Sequence, residues 1–441
     1  MDVNAISAKR PSAAWPPGRG SRRRWMAVVS LTACLVAAYP AAAAADNTAA
    51  LAANATLNCA PAGMTPSPCY SPQAYQAAYG VAPLLSHGID GRGETVVVGP
   101  EPAASPSGPT DIRRDLAAFD TRFGLPATSL DVVNIFAKSA TPYRTGGEEV
   151  TDTEMVHAIA PDAHLDVVLL PPNITSSAAS FASAITKVIV EGVALHAAVI
   201  SISASVGEHF LTRAEVTAMD LALEQARDHH VTVVGSSGDY GAISSHPTSP
   251  PVEVSMPASD PLVLAVGGST LDAARPGGAY SGETAWNSGG DASGGGYSSV
   301  FPRPSYQDNV AKARATRGVP DVAANAGSAY PLALAFMHDQ FRAATGTSAA
   351  APLWAGVIAL VDQEAGRHLG FVNPAIYAIA RSSAYHRAFH DVITGDNSVQ
   401  WNNTFFTGYK AGPGWDPVTG WGSPDAQYLV PLLARTARSG T

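Results

Sequence analysis

Gly346-Thr347-Ser348-Ala349-Ala350-Ala351-Pro352, running directly into the apolar segment Leu353 to Leu360, is the stretch on which the reading of this chain turns. Gly346 and Thr347 let the backbone turn tightly, Ser348 falls at or near a helix N-terminus, and Pro352 is tolerated only while that helix is in its first turn. A serine placed there faces unpaired N–H groups and the positive end of a helix dipole, so an oxyanion formed beside it is stabilised. The same string also reads as an ordinary helix start, because Ser and Thr are favoured N-caps. What separates a nucleophile mount from a plain cap is whether the chain supplies a base.

Upstream of that helix, short β-branched runs alternate with helical patterns. Strands are predicted over Glu94 to Val98, Leu130 to Phe136, Leu165 to Leu170, Ala197 to Ser203, Val231 to Ser236 and Leu262 to Gly267. Helices are predicted over Asp111 to Phe123, Glu148 to Ile159, Ser177 to Gly192 and Thr212 to Asp228, and the Ser348 helix is expected to reach about Arg367. Apolar strands alternating with helices imply an α/β fold: a parallel central sheet with helices on both faces, in one large domain. Beyond Gly267 the pattern loosens into a Gly- and Ser-rich stretch from Ser288 to Ser299, which reads either as a substrate-groove wall or as a flexible surface loop. The tail from Phe389 to Pro424 is irregular and rich in Asp, Gly and Asn, so it needs something other than a core to hold it.

The 441 residues are 46% hydrophobic and only 14% charged, the composition of a globular chain. The N-terminus is separate in character. Arg19, Arg22, Arg23 and Arg24 precede an apolar run from Trp25 to about Ala38 and the small residues Ala41 to Ala45, so residues 1–45 read as a secretory signal of Sec or twin-arginine type. The Leu31-Thr32-Ala33-Cys34 string only loosely resembles a lipoprotein box, and lipid anchoring is not expected. Without residues 1–45 the chain keeps 21 Lys/Arg against 35 Asp/Glu, a formal net charge of −14, which leaves no basic surface for nucleic acid. Cys34 leaves with the signal; Cys59 and Cys69 remain as a pair in an exported chain, where a disulfide closing that short loop is expected. Residues 46–68 form a leader, and the globular body spans 69–436. No later segment is long and apolar enough to span a bilayer, and a secreted, extracellular monomer is expected.

A serine nucleophile needs a base, usually histidine oriented by a carboxylate. The chain has 12 His, but the first strand runs into Gly99-Pro100-Glu101 with no Asp, and the only His-Gly pair, His87-Gly88, lies before that strand in a turn. His157 sits within a helix and reads as structural. Carboxylates offer the alternative. Glu148 and Asp152 are i and i+4, so on a helix they share one face; Glu149, at i+3 from Asp152, is a competing base.

Glu148-Glu149-Val150-Thr151-Asp152 with the downstream Ala160-Pro161, Ser237-Gly238-Asp239-Tyr240-Gly241-Ala242 after a strand, and the GTSAAAP string, in that order, resemble the sedolisin or serine-carboxyl peptidase family. Met256-Pro257-Ala258-Ser259, Gly294-Gly295-Gly296-Tyr297-Ser298 and Val319-Pro320-Asp321-Val322 support the match, which extends from about Cys69 to Pro424. The resemblance implies a subtilisin-like fold and a peptidase acting on proteins or peptides at acidic pH. It implies Ser348 as nucleophile, Glu148 as its base, Asp152 orienting Glu148, and Asp239 as a protonated acid in the oxyanion hole. A carboxyl kept neutral by an apolar site and by neighbouring carboxylates is physically reasonable. Asp391-Val392 followed by Gly412-Pro413-Gly414-Trp415-Asp416 resembles the family's calcium site, which implies one Ca²⁺ among Asp391, Val392, Gly412, Gly414 and Asp416.

The chain departs from the family pattern at two places. Only about twenty residues separate Ala45 from the body, where the family carries a long propeptide, and Thr151 stands where an apolar residue is usual. Two other readings compete. A subtilisin-type Ser-His-Asp enzyme requires a His-Gly-Thr at a helix start, which is missing; an inactive surface or binding protein on the same scaffold is disfavoured because all four catalytic positions hold the expected residue types.

Overall fold

The valine-rich run Thr95–Gly99 (β1) is central because both of its faces are apolar and both are covered. Val96 and Val98 point into one hydrophobic cluster and Val97 into another. On one side β1 pairs in parallel with His164–Val168 (β3), which pairs with the edge strand Leu130–Val133 (β2). On the other side follow Val199–Ile202 (β4), Thr232–Ser236 (β5) and Leu264–Asp272 (β6), all parallel. The last strand is long enough to take two more partners, Val322–Asn325 (β8) in parallel and Gly282–Ala285 (β7) antiparallel. The computed structural model describes residues 56–58, 68–99, 111–135, 147–170, 177–244, 252–273, 278–327, 333–337 and 340–436. The expected signal segment, Cys59 and Phe136 lie outside them.

The connecting helices begin and end where their capping residues dictate. Pro72–Ala78 (α1) starts at Ser71, Ile112–Phe123 (α2) at Asp111, Ala178–Ala194 (α4) at Ser177, and Arg213–Asp228 (α5) at a capping box of Thr212 and Glu215. The helices α4 and α5 cover the Val97 face with Ile185, Val188, Met219 and Leu223. The opposite face receives Gly147–Ile159 (α3) and Thr347–Ala365 (α6), with Ala426–Thr436 (α7) packed behind α6.

Two of these helices are buried all round. In α6 every described side chain from Ala349 to Asp362 is inside, as its almost unbroken run of Ala, Leu, Val and Ile requires. In α3 all thirteen residues are buried although four of them are Glu or Asp. The two helices approach so closely that a Cβ on Gly356 would lie 2.7 Å from the Ile159 Cβ, so a glycine is needed at the crossing. This contact sets the carboxyl-bearing helix against the serine-bearing one.

Two sequence readings need adjustment. Pro352 is not in the first turn of its helix but inside it, as the sixth residue. The Gly/Ser-rich stretch is clamped: Ala292 N–H donates to Asp239 O (2.8 Å), Gly294 N–H to Gly238 O (2.7 Å), and Ser293 Oγ to Val418 O (2.7 Å). The leader touches the body, since Thr56–Asn58 pairs antiparallel with Pro68–Tyr70. Cys69 is disulfide-bonded, with its partner outside the described residues. Among the described residues no helix is long and apolar enough to cross a membrane.

Candidate active site

Ser348 is the second residue of α6. The turn before it exists because Gly346 adopts φ 118°, which a residue with a side chain rarely adopts, and because a Cβ there would lie 2.5 Å from Asp239 Oδ2. Gly346 therefore permits the turn and also admits the Asp239 carboxyl against the start of the helix.

Asp239 sits in the turn that follows β5, at the C-terminal edge of the parallel sheet, where ligand sites of such sheets collect. Its Oδ1 accepts two hydrogen bonds from Thr347, the neighbour of Ser348: one from the backbone N–H and one from Oγ1, both 2.8 Å. Thr347 Oγ1 in turn accepts from Gly238 N–H at 3.1 Å, which closes the ring. Burial pushes the Asp239 carboxyl up to about 6, against the lowering effect of the two Thr347 donors, and the Asp291 charge raises it further. Near pH 5 this group is a neutral acid with a proton to donate.

Glu148 and Asp152 lie one turn apart on α3, both buried. Burial raises Asp152 well above the usual carboxyl range; the Glu148 charge adds to this, a hydrogen bond from Ser203 opposes it, and Glu149 contributes a smaller rise. An ionised carboxylate in such a place costs several kcal/mol unless paired, so one proton is retained within the pair. Thr151 is accommodated because its hydroxyl donates to Gly147 O (2.8 Å) and leaves no buried donor unmet.

Ser203, just beyond β4, joins the two helices. Its Oγ donates to Asp152 Oδ1 at 3.0 Å and lies 3.4 Å from Ser348 O, while Ser348 Oγ donates to Ser203 O at 3.4 Å. Sequence reading passed over this residue. The available signal was a serine closing an apolar strand at the C-terminal edge of a parallel sheet, which is weak by itself. Among the described residues no histidine is hydrogen-bonded to Ser348. His157 is buried with Nε2 2.8 Å from Asp120 Oδ1, the structural place read for it. His87 sits in an exposed turn with Nδ1 2.6 Å from Pro83 O.

The residues named for calcium converge on one loop. Asp416 is fully buried, and its oxygens accept from the N–H groups of Gly412 (2.8 Å), Val418 (2.9 Å) and Thr419 (2.9 Å). Asp391 Oδ2 accepts from Gly414 N–H at 2.9 Å. Its Oδ1 is buried and within hydrogen-bond geometry of no donor among the described residues; the Tyr385 hydroxyl lies nearby and donates to Trp421 O at 3.1 Å. Two of the expected carbonyls already have one donor each: Val392 O takes Thr419 Oγ1 (3.3 Å) and Gly412 O takes Lys312 Nζ (2.9 Å). A carbonyl has a second lone pair, so the donor set, with one unmet carboxylate oxygen, fits a hard cation. A separate trio, Asp131, His164 and Asp166, brings three ligand-type atoms within 4.8 Å of one another at the sheet edge, with Asp131 exposed.

The model of the subtilase family matches residues 145–422. Kumamolisin of Bacillus sp. (strain MN-32) is 34% identical over 380 residues, covering 83% of this chain and 63% of that protein. Human tripeptidyl-peptidase 1 is 31% identical over 249 residues, covering 51% of this chain and 41% of that protein. The chain thus spans less than two thirds of the length of these relatives. Among solved structures, Pseudomonas sedolisin, a serine-carboxyl proteinase complexed with two molecules of pseudo-iodotyrostatin, superposes with a TM-score of 0.67 at 26% identity, covering 84% of this chain and 98% of that one.

Proposed function

Because the chain belongs to the subtilase family, on its sedolisin branch, we propose that it is a secreted serine-carboxyl peptidase that cleaves proteins or peptides in acid through an acyl-enzyme. The observation that carries this reading is the Asp239 carboxyl, buried, raised to about 6 and fastened to the residue beside Ser348. In a Ser-His-Asp site an ionisable acid there would be a liability near neutral pH. In acid it is a neutral donor aimed at developing negative charge, where such a donor is worth about 10²–10³ in rate.

In this reading Ser348 Oγ attacks the scissile carbonyl carbon and its proton passes to Glu148. The oxyanion that forms accepts a hydrogen bond from protonated Asp239. Glu148 then returns the proton to the departing amine as the C–N bond breaks, leaving an ester on Ser348. Water, deprotonated by Glu148, attacks the ester and releases the acid. Asp152 orients Glu148 throughout. The Asp391 and Asp416 carboxylates with the carbonyls of Val392, Gly412 and Gly414 would hold a calcium ion, which would clamp the tail. Export is supported by the basic-apolar N-terminus and by a disulfide at Cys69.

The test is a pH–rate profile on an unstructured polypeptide for the wild type, Ser348→Ala and Glu148→Gln. An acid optimum is expected, with a loss of about 10³-fold or more in both variants. Undiminished activity in the variants, or an optimum well above neutrality, would overturn the proposal.

A further inference from the structure

We propose that the hairpin strand Thr404–Phe406 is an exosite for the polypeptide substrate: an extended segment away from the scissile bond adds to its free edge as a further strand, with Phe405 as the side-chain anchor. The inference rests on the peptidase reading above and names where a long substrate is gripped beyond Ser348.

Val399–Trp401 (β9) and Thr404–Phe406 (β10) pair antiparallel, with Val399 opposite Phe406, Gln400 opposite Phe405 and Trp401 opposite Thr404. The connecting residues Asn402 and Asn403 have φ of 44° and 61°; asparagine tolerates this left-handed region, and two such residues make the tight turn whose twist matches a hairpin. One face is packed: Val399, Trp401 and Phe406 lie against Tyr240, Ile243 and Ala292. The other carries exposed Gln400 and Phe405, the latter 62% exposed. The hairpin is fastened to the turn that bears Asp239. Ala242 N–H donates to Asn397 O at 3.1 Å, and a Cβ on Gly241 would lie 2.8 Å from Val399 Cγ1.

In an antiparallel pair, opposed residues alternate between those that bond each other and those that direct N–H and C=O outward. Gln400 is of the second kind, since its N–H leaves the hairpin and donates to Gly289 O at 3.0 Å. Phe405 stands opposite it, so its N–H and C=O point out from β10, where no hydrogen bond meets them among the described residues. Exposed edges are ordinarily guarded by charge, proline or a bulge. None guards this one: no residue between Asp396 and Lys410 is charged or proline, and the register of β9 with β10 is unbroken. An open, uncharged edge with one large apolar side chain fits an extended polypeptide, bound through main-chain hydrogen bonds and a contact at Phe405. A chain already engaged at Ser348 meets this edge as an intramolecular partner, at an effective concentration on the order of millimolar. A second copy of the protein lacks that advantage.

Initial rates on two substrates with the same scissile bond test this: a quenched peptide of about six residues, spanning about 20 Å, and a disordered polypeptide of about fifty residues. Phe405→Ala is expected to lower the long-to-short ratio of kcat/KM about fivefold through KM on the long substrate, with kcat there within about twofold. Phe405→Pro, which also removes the outward N–H, lowers it further; where circular dichroism finds that variant unfolded, Phe405→Ala at its exposed position decides. Fluorescence polarisation gives a readout free of turnover: the Kd of the long polypeptide for Ser348→Ala is expected to rise about fivefold when Phe405→Ala is added. An unmoved ratio or an unmoved Kd overturns the exosite. So does a wild-type dimer in sedimentation that Phe405→Ala dissolves, since the edge would then serve a second copy. Wild-type activity in Ser348→Ala would instead overturn the serine reading, and the rate ratio of Phe405→Ala would still decide the edge.

Discussion

Replacing Asp239 by asparagine separates the charge of this acid from its shape. Burial lifts the carboxyl from 3.8 to about 6. The neutral fraction is then about nine-tenths near pH 5 and about one-tenth near pH 7, so kcat/KM of the wild type falls roughly tenfold across that interval. In Asp239→Asn the two Thr347 donors, both at 2.8 Å, hold the amide oxygen where Oδ1 was, and the NH₂ takes the place of Oδ2. The variant therefore carries a donor that does not titrate. Its limb near pH 6 disappears, while its rate in acid falls about 10- to 100-fold, because an amide N–H donates more weakly than a carboxylic O–H; Asp239→Ala loses about 10²–10³. Initial rates on a quenched peptide read both quantities. An Asp239→Asn enzyme that keeps the wild-type limb would refute the reasoning, since the limb would then belong to another group.

The same raised carboxyls govern stability. The native state of Asp239 holds its proton to a higher pH than the unfolded chain does, as do Asp260 and Asp362, both pushed up to about 8 by burial. The stability they contribute is present in acid and is lost as pH rises through the folded values; a two-unit rise is worth about 3 kcal/mol for a fully buried group. Thermal unfolding is expected to show a higher Tm near pH 5 than near pH 8, and the opposite order would contradict this. Gly346→Ala places a methyl against Asp239 Oδ2 and strains a left-handed residue; a loss of activity of about 10²-fold or more is expected with the overall fold intact by circular dichroism, and near-normal rates would argue against the tight seat. Chelation of calcium is expected to lower Tm by about 5 °C or more, an effect reversed by added Ca²⁺ and abolished in Asp391→Asn; an unchanged Tm would count against the clamp.

Much of the frame was legible because its signals are local. The six strands predicted along the first part of the sheet are all present within a few residues, and the helices start at the Asp, Ser and Thr caps that announce them. What sequence could not convey was burial of the carboxyl helix. Glu148, Glu149, Asp152 and Glu154 have the composition of a solvated face, and the packing of α6, α1, α2 and the sheet around α3 encloses them. The seat of Asp239 against Thr347 likewise depends on a contact across 108 residues. Ser203 was invisible for the same reason: its partners lie 51 and 145 residues away.

Pro352 has a consequence beyond the shape of its helix. It has no N–H, so the rung that would tie the Ser348 carbonyl into the helix ladder is missing. The opening turn of α6 is fastened less by its own helix than by Asp239, which holds Thr347, and Ser203, which reaches Ser348. Ser348 is therefore tethered to two loops of the sheet more than to the rod that carries it. Any event that loosens those loops disarms Ser348 while α6 is still whole. Activity should thus vanish at a milder temperature or denaturant concentration than helical signal does, which makes the gap between the two a direct gauge of how tightly the sheet edge grips its serine.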